Sequence, residues 1–263
     1  MLYIRGAAAT GGATGLPRAP RTFPAHDKMW WPLQHIARTA LATAALLACA
    51  PSPALSSGDR ARRIPRVDPL LVPVMPVSKH NGNALNMNLT FYNMHISDIA
   101  RGVTAHSLKF DFDDLDLEIR FHRPHVNFNG TYRASGKVLW LPVWGSGPFT
   151  MKMSDVYERF HIRGVRKRGV DGRVYMHIRE YTSTLEPRAM TLSFDNLFNG
   201  NWLLGKGANA LINNEWKQIY GEIAPLTNQH FSIIMRPYWE DILSRDPIDV
   251  MFPPGTRYLY VVE

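Results

Sequence analysis

The sequence predicts an α+β fold in which an antiparallel sheet precedes one long C-terminal helix. Two periodicities carry this. Between Ala84 and Phe194 apolar side chains recur at every second position, the period of strands buried on one face. From Leu204 to Ile242 they recur at steps of three and four, which gathers them on one face of a helix. Short connections between the alternating runs make the sheet a meander with one apolar face available to the helix.

Bulk composition bounds the rest. At 263 residues, 45% hydrophobic and 20% charged, the chain can bury a substantial core. The net charge of +8 would suit an anionic surface or a nucleic acid, but the arginines are scattered apart from clusters at residues 60–66 and 163–173. The charge reads as solubility first, and no nucleic-acid partner is predicted. Cys49 is the single cysteine, which excludes an internal disulfide and a multi-cysteine metal site.

In chain order, residues 1–28 are rich in Gly, Ala, Pro and Arg without apolar periodicity and read as a disordered extension. Residues 29–56 have the order of a secretory signal peptide: Arg38, an apolar run over 39–50, then small residues at Ala48-Cys49-Ala50 and Ala54-Leu55-Ser56. That run is shorter than the roughly 20 apolar residues a spanning helix needs. A wrongly chosen start, given the internal Met29, and a lipid-attachment site at Leu46-Leu47-Ala48-Cys49 are the alternatives, the second ranking below cleavage. Residues 57–66 read as a basic linker, 67–254 as one domain and 255–263 as a tail.

Within the domain, Pro65, Pro69, Pro73 and Pro76 punctuate an apolar stretch that is too proline-rich for a helix or a central strand, so an extended edge segment is predicted. Leu85, Met87, Leu89 and Phe91 alternate with polar residues, as do Leu108, Phe110 and Phe112, and then Leu115, Leu117, Ile119 and Phe121. Val126, Phe128 and Tyr132 lead to a predicted turn at Ser135-Gly136. A strand over 138–144 is interrupted at Gly145-Ser146-Gly147-Pro148, after which Phe149, Met151 and Met153 alternate, with Phe160 and Ile162 beyond a bulge expected near Tyr157. Asp171-Gly172 has the composition of a two-residue hairpin turn leading into Val174, Met176 and Ile178. Leu192 and Phe194 close the series. A continuous helix over 202–244 would reach about 60 Å, and Pro225 and Pro237 inside it predict kinks and two or three segments.

Several motifs suggest chemistry and fail on it. His122 and His125 flank a strand end without a cysteine partner or a His-Glu-x-x-His helix, and read as surface histidines. Residues 200–207 have the glycine and lysine spacing of a phosphate-binding loop, but Gly207 stands where a magnesium-binding hydroxyl is required. Asp111, Asp113, Asp114, Asp116 and Glu118 fall mostly on the polar face of strands. There is no Gly-x-Ser-x-Gly elbow and no convincing Ser, His and Asp set, so no enzyme, cofactor or metal is predicted. Asn88-Leu89-Thr90 and Asn129-Gly130-Thr131 are glycosylation acceptors in form, consistent with secretion.

The runs Leu197-Phe198-Asn199-Gly200-Asn201, Leu203-Leu204-Gly205 and Asn213-Asn214-Glu215-Trp216-Lys217 precede Pro225 and then Pro247-Ile248-Asp249-Val250-Met251-Phe252-Pro253. Together they resemble the C-terminal half of the insect haemolymph juvenile hormone binding protein and takeout family. The resemblance continues back through Asn93-Met94-His95-Ile96 and Val67-Asp68-Pro69-Leu70, and covers about residues 64–254. It implies a secreted carrier of apolar ligands, with the long helix wrapped by a strongly curved antiparallel sheet and a hydrophobic tunnel between them. It also implies an N-terminal helical region with a two-cysteine disulfide, which this sequence does not match. The tunnel mouth there would be more open, with weaker binding governed more by chain length than by head-group chemistry.

On composition alone the aromatic and methionine stripe reads as core. The resemblance turns it into a candidate lining: Leu89, Phe91, Phe110, Phe112, Phe128, Tyr132, Met151, Met153, Phe160 and Met176 from the sheet, with Trp216, Tyr220, Ile223 and Phe231 from the helix. Tyr132, Tyr220, Trp216 and Asn213 are candidate polar anchors. The expectation is a monomeric extracellular carrier of a terpenoid-hormone-like or fatty-acid-like molecule. The rival is a membrane-interface lipid-transfer protein that uses its two basic clusters on anionic lipid.

Overall fold

The computed structural model describes residues 68–252 and the backbone of 258–261. The predicted extension, signal peptide and linker, with Cys49 and the 60–66 basic cluster, lie outside the described residues. Prolines deny the first segment the donors a central strand needs, and β1 (Leu70–Pro76) is an edge strand paired to β2 (Leu85–Ser97). β3 (Thr104–Asp111) and β2 lie end to end along one side of β4 (Asp116–Val138). β5 (Leu141–Arg168) pairs the full length of β4 on its other side, and β6 (Val174–Phe194) pairs β5. All pairings are antiparallel, and β7 (Tyr258–Val261), within the predicted tail, adds to β3. At 28 residues β5 would extend about 90 Å if flat. The sheet is instead strongly curved, and the long C-terminal helical region lies with it.

Several predicted turns are strand interior. The expected turn at Ser135-Gly136 falls inside β4, and the chain reverses between Val138 and Leu141. The expected break at Gly145 to Pro148 falls inside β5 because the segment after β6 crosses it closely. A Cβ on Gly145 would stand 2.8 Å from the Asn196 carbonyl oxygen, and one on Gly147 would stand 2.8 Å from that of Asp195. Glycine here serves close approach, not reversal. The irregularity expected near Tyr157 stands at Asp155, where pairing lapses and resumes in the same register, and a bulge with a register shift lies between Arg163 and Gly164. The β5–β6 connection is residues 169–173, longer than a two-residue turn, with the Asp171 carboxylate accepting from the Arg173 N–H at 3.1 Å.

One irregular row organises the interior. Pro124 in β4, Asp155 in β5 (φ 52°) and Arg188 in β6 stand side by side, outside the pairing pattern. Across this row the inward-facing set changes parity, from Phe149 and Met153 to Val156 and Phe160 in β5, and from Leu185 to Met190 in β6. The core is correspondingly two clusters. One gathers around Phe91, Phe128, Phe149 and Ile219; the other around Phe110, Phe160, Met176 and Trp239. Near the change of parity, buried Arg123 donates to the Glu158 carboxylate at 2.7 Å and to the Ile99 carbonyl, and the Ser183 hydroxyl donates to Glu158 at 3.3 Å.

After a 3-10 turn (Phe198–Gly200), α1 (Trp202–Asn214) begins with the Asn201 side chain accepting from the Leu204 N–H at 3.1 Å. α2 (Trp216–Leu243) follows, and a short α3 (Ile248–Met251) ends the described helices. The long pattern is thus two segments, but the division falls at Glu215 and both prolines sit inside α2. Pro225 and Pro237 are on the exposed side, as are Gly221 and Ile233, whose carbonyls lose their donors and can be satisfied by water.

Among the described residues the outer edge of β6 pairs no strand beyond a single bridge from Tyr175 to Pro247, and helix side chains take that place. Asn209 bonds both backbone groups of Phe194, and Asn213 both groups of Leu192. Further along, the Leu185 carbonyl accepts from the Tyr220 hydroxyl and its N–H donates to Asn228; the Ser183 N–H donates to Ser232; Ile178 is bonded by Arg236 and Glu240. This ladder satisfies an edge that would otherwise be open. On the other side of α2 the Glu222 carboxylate accepts from the N–H groups of Ala84 and Leu85 at 2.7 and 3.0 Å. The helix is fastened to the sheet from both sides.

Candidate functional site

Between the concave face of the sheet and the α1–α2 junction lies a cavity, whose space together with the solvent at its opening is about 950 Å³. β2, β4, β5 and β6 supply its walls through inward positions such as Met87, Phe128, Met151 and Met190, while Ile212, Trp216, Ile219 and Ile223 close it from the helices. Alternation makes the walls apolar, since each strand that turns its apolar side chains inward turns its polar ones outward.

Among the described residues no lining side chain is ionisable at neutral pH, and the hydroxyls in the wall have partners. Tyr132 donates to the Asp195 carbonyl at 2.7 Å, Tyr220 to the Leu185 carbonyl at 2.9 Å, and Thr227 to the Ala224 carbonyl at 3.0 Å. Burial, with a smaller contribution from the Asp195 charge, pushes the Tyr132 phenol up to about 12. Burial, followed by the charges of Glu158 and Glu186, raises Tyr220 as well. Both stay neutral at physiological pH. Of the candidate polar anchors, these two tyrosines are therefore structural donors, and Asn213 serves the β6 edge without lining the cavity. The cavity can exclude water and bury apolar surface. It presents no paired acid and base.

Ten of the fourteen predicted lining residues stand on the cavity: Leu89, Phe91, Phe128, Tyr132, Met151, Met153, Trp216, Tyr220, Ile223 and Phe231. The other four do not. Phe110, Phe160 and Met176 are buried in the second cluster, and Phe112 packs on its margin. They share the sheet's inner face with the first group, but there Phe160 stacks on Tyr181 and meets Phe121 and Trp239 edge to face, and these rings occupy that half. Among the lining residues missed were Met75, Met94, Leu185, Ile212, Ile219 and Thr227. The helical ones were legible by stepping three and four residues from Trp216; Met75, set among prolines, gave no signal.

The rejected motifs resolve into local structure. His122 Nε2 lies 2.5 Å from the Asp155 carboxylate, and the Asp116 carboxylate accepts from Arg163 and sits against His161. Among the described residues no group of three or more His, Cys, Asp or Glu could hold a metal ion, and no helix is long and apolar enough to cross a membrane. Asn88 and Asn129 are exposed. In the 163–173 basic cluster, Arg163 pairs with Asp116 and Glu180, Arg166 donates to the Phe112 and Asp113 carbonyls, and Arg173 pairs with Asp249.

Comparison with known proteins agrees with this architecture. The chain is 24% identical over 208 residues to the circadian clock-controlled protein daywake of Drosophila melanogaster, covering 76% of this chain and 78% of the relative. It is 24% identical over 204 residues to daywake of Drosophila yakuba, with the same coverage. The crystal structure of Takeout 1 from Epiphyas postvittana superposes with a TM-score of 0.67 at 22% identity, covering 80% of this chain and 93% of that one, which shows a shared fold. The family model described as haemolymph juvenile hormone binding protein matches residues 50–253, and with that span the chain belongs to this family.

Proposed function

We propose that the protein is a secreted carrier that buries a small, neutral, apolar molecule, a juvenile-hormone-like terpenoid or similar lipid, in the cavity between the helices and the sheet. The observation that carries this reading is the wall itself: apolar side chains throughout, with every hydroxyl bonded to backbone and no charged residue. Such a wall recognises area and shape. Each buried CH₂ contributes about 0.8 kcal/mol, so ten carbons supply about 8 kcal/mol before the cost of association. A carboxylate finds no cation inside and must stay at the solvent end, whereas an ester can enter whole. No cofactor and no turnover enter this reading.

The test is displacement of a fluorescent apolar probe by a sesquiterpenoid methyl ester and by the corresponding free acid. The ester is expected to compete at least about tenfold better. Equal competition by the acid would refute a charge-excluding wall, and failure of both to displace the probe would refute the carrier reading. Export predicts an intact mass for the secreted protein corresponding to a start between Pro51 and Gly58; a cytosolic chain retaining residues 29–50 contradicts it.

A further inference from the structure

Five large apolar side chains stand in water at the end of the molecule that holds the cavity. They are Trp140 on the β4–β5 turn, Trp144 at the start of β5, and Trp202, Leu203 and Leu204 in the first turn of α1, exposed by 74, 47, 72, 71 and 50%. The Gly145–Leu197 bridge and the contact of the Trp144 and Phe198 rings at 4.9 Å tie the start of β5 to the segment entering α1. Other exposed large apolar residues, such as Val170, Ile233 and Val250, are dispersed through the fold. A concentration of this kind marks an interaction surface.

Charge identifies what it fits. Arg133 and Lys137 at the end of β4 and Lys206 on α1 are exposed, and none has an ion-pair partner among the described residues. Lys206 Nζ lies 5.2 Å over the Trp202 ring. In the 163–173 cluster Arg163, Arg166 and Arg173 are held by carboxylates and carbonyls, and although Lys167 and Arg168 are exposed without an ion-pair partner among the described residues, the exposed large apolar residue in that segment is Val170, with no indole beside the charge. Indole rings beside uncommitted cations favour the headgroup layer of an anionic bilayer, where the ring sits at the interface and the cations meet phosphate. Val143 and Leu197, the chain neighbours of Trp144 and Phe198, line the cavity.

We propose that this end is a membrane-docking surface, in which Trp140, Trp202 and Leu203 enter the headgroup region of an anionic bilayer while Arg133, Lys137 and Lys206 hold its phosphates. Docking sets the cavity beside the bilayer, where an apolar ligand can be taken up or released; only this last step rests on the carrier reading.

The experiment is flotation of the purified chain with vesicles of phosphatidylcholine, with and without phosphatidylserine, beside probe uptake in vesicle-free buffer. Phosphatidylserine is expected to raise binding about tenfold or more, and the Trp202→Glu/Leu203→Glu variant to lose that binding with unchanged probe uptake and unchanged circular dichroism. The Arg133→Gln/Lys137→Gln/Lys206→Gln variant is expected to lose the phosphatidylserine preference. No vesicle binding by the parent, or equal binding by the glutamate variant, overturns the proposal. So does a dimer in sedimentation that the glutamate substitutions dissolve when no vesicle binding occurs, since that assigns the surface to a second copy. Vesicle binding without probe uptake supports the docking surface and refutes the carrier reading.

Discussion

Replacing Asn213 by leucine tests whether helix side chains hold the edge of the sheet. The Asn213 amide donates to the Leu192 carbonyl at 2.7 Å and to the Asn209 carbonyl at 2.8 Å, and its oxygen accepts from the Leu192 N–H at 2.8 Å. Leucine has similar bulk and makes none of these bonds, so both backbone groups of Leu192 lose their partner. Each unsatisfied group costs about 1–3 kcal/mol when buried. Leu192 is half-buried and water can reach it in part, which places the sum at about 2–4 kcal/mol. With a urea slope of about 2 kcal/mol per molar, the unfolding midpoint should fall by about 1–2 M at constant slope. Asn213→Asp keeps the acceptor and loses the donor, and should fall between leucine and the parent. Gln218→Leu, on the exposed side of α2, should stay within about 0.5 kcal/mol. Ile212 lines the cavity next to Asn213, so a loosened helix should also weaken probe binding. If Asn213→Leu costs no more than Gln218→Leu, the ladder is not what fastens the helix.

Phe110→Ala should destabilise by about 3–5 kcal/mol in urea unfolding while leaving probe affinity of the folded protein unchanged, because Phe110 packs on Phe252 at 3.9 Å in the second cluster. Tyr220→Phe should cost about 1 kcal/mol of stability through the lost bond to the Leu185 carbonyl, with less than about a twofold change in probe affinity; a large affinity loss would make the hydroxyl a ligand anchor. The Ala84 and Leu85 N–H groups hold the Glu222 carboxyl below its ordinary value of 4.5, with Ala84 the first cause. Its stabilising contribution is present above that value and is lost as pH falls through the depressed one, so the protection of the Ala84 and Leu85 amides, taken relative to their intrinsic exchange rates at each pH, should fall in acid and Glu222→Gln should flatten that dependence.

The two periodicities and the alternation of faces follow from the order of residues, because strand and helix geometry fix which side chains share a side. Leu85 to Phe91, the proline-blunted edge strand and the helical stripe around Trp216 were legible for that reason; the ten residues named for the cavity wall were legible from periodicity only as core, and the family resemblance made them a candidate lining. Alternation states that a residue faces inward, but not which part of a long interior it faces. Phe160 and Met151, an odd number of positions apart, share the inner face only because the row of Pro124, Asp155 and Arg188 shifts the inward set between them, and they join different clusters because they stand at different places along a long strand. Gly145 and Gly147 read as a turn until the crossing of residues 195–197 supplies the reason for having no Cβ. Pro225 and Pro237 read as breaks because chain order does not reveal that their orphaned carbonyls lie toward water. The Asn209 to Glu240 stripe was written in the sequence as polar residues, mostly at helical spacing. Its partner, an unpaired strand edge, exists only once the sheet has curved around the helix, since hydrogen bonds between segments distant in sequence depend on where the backbone has been brought.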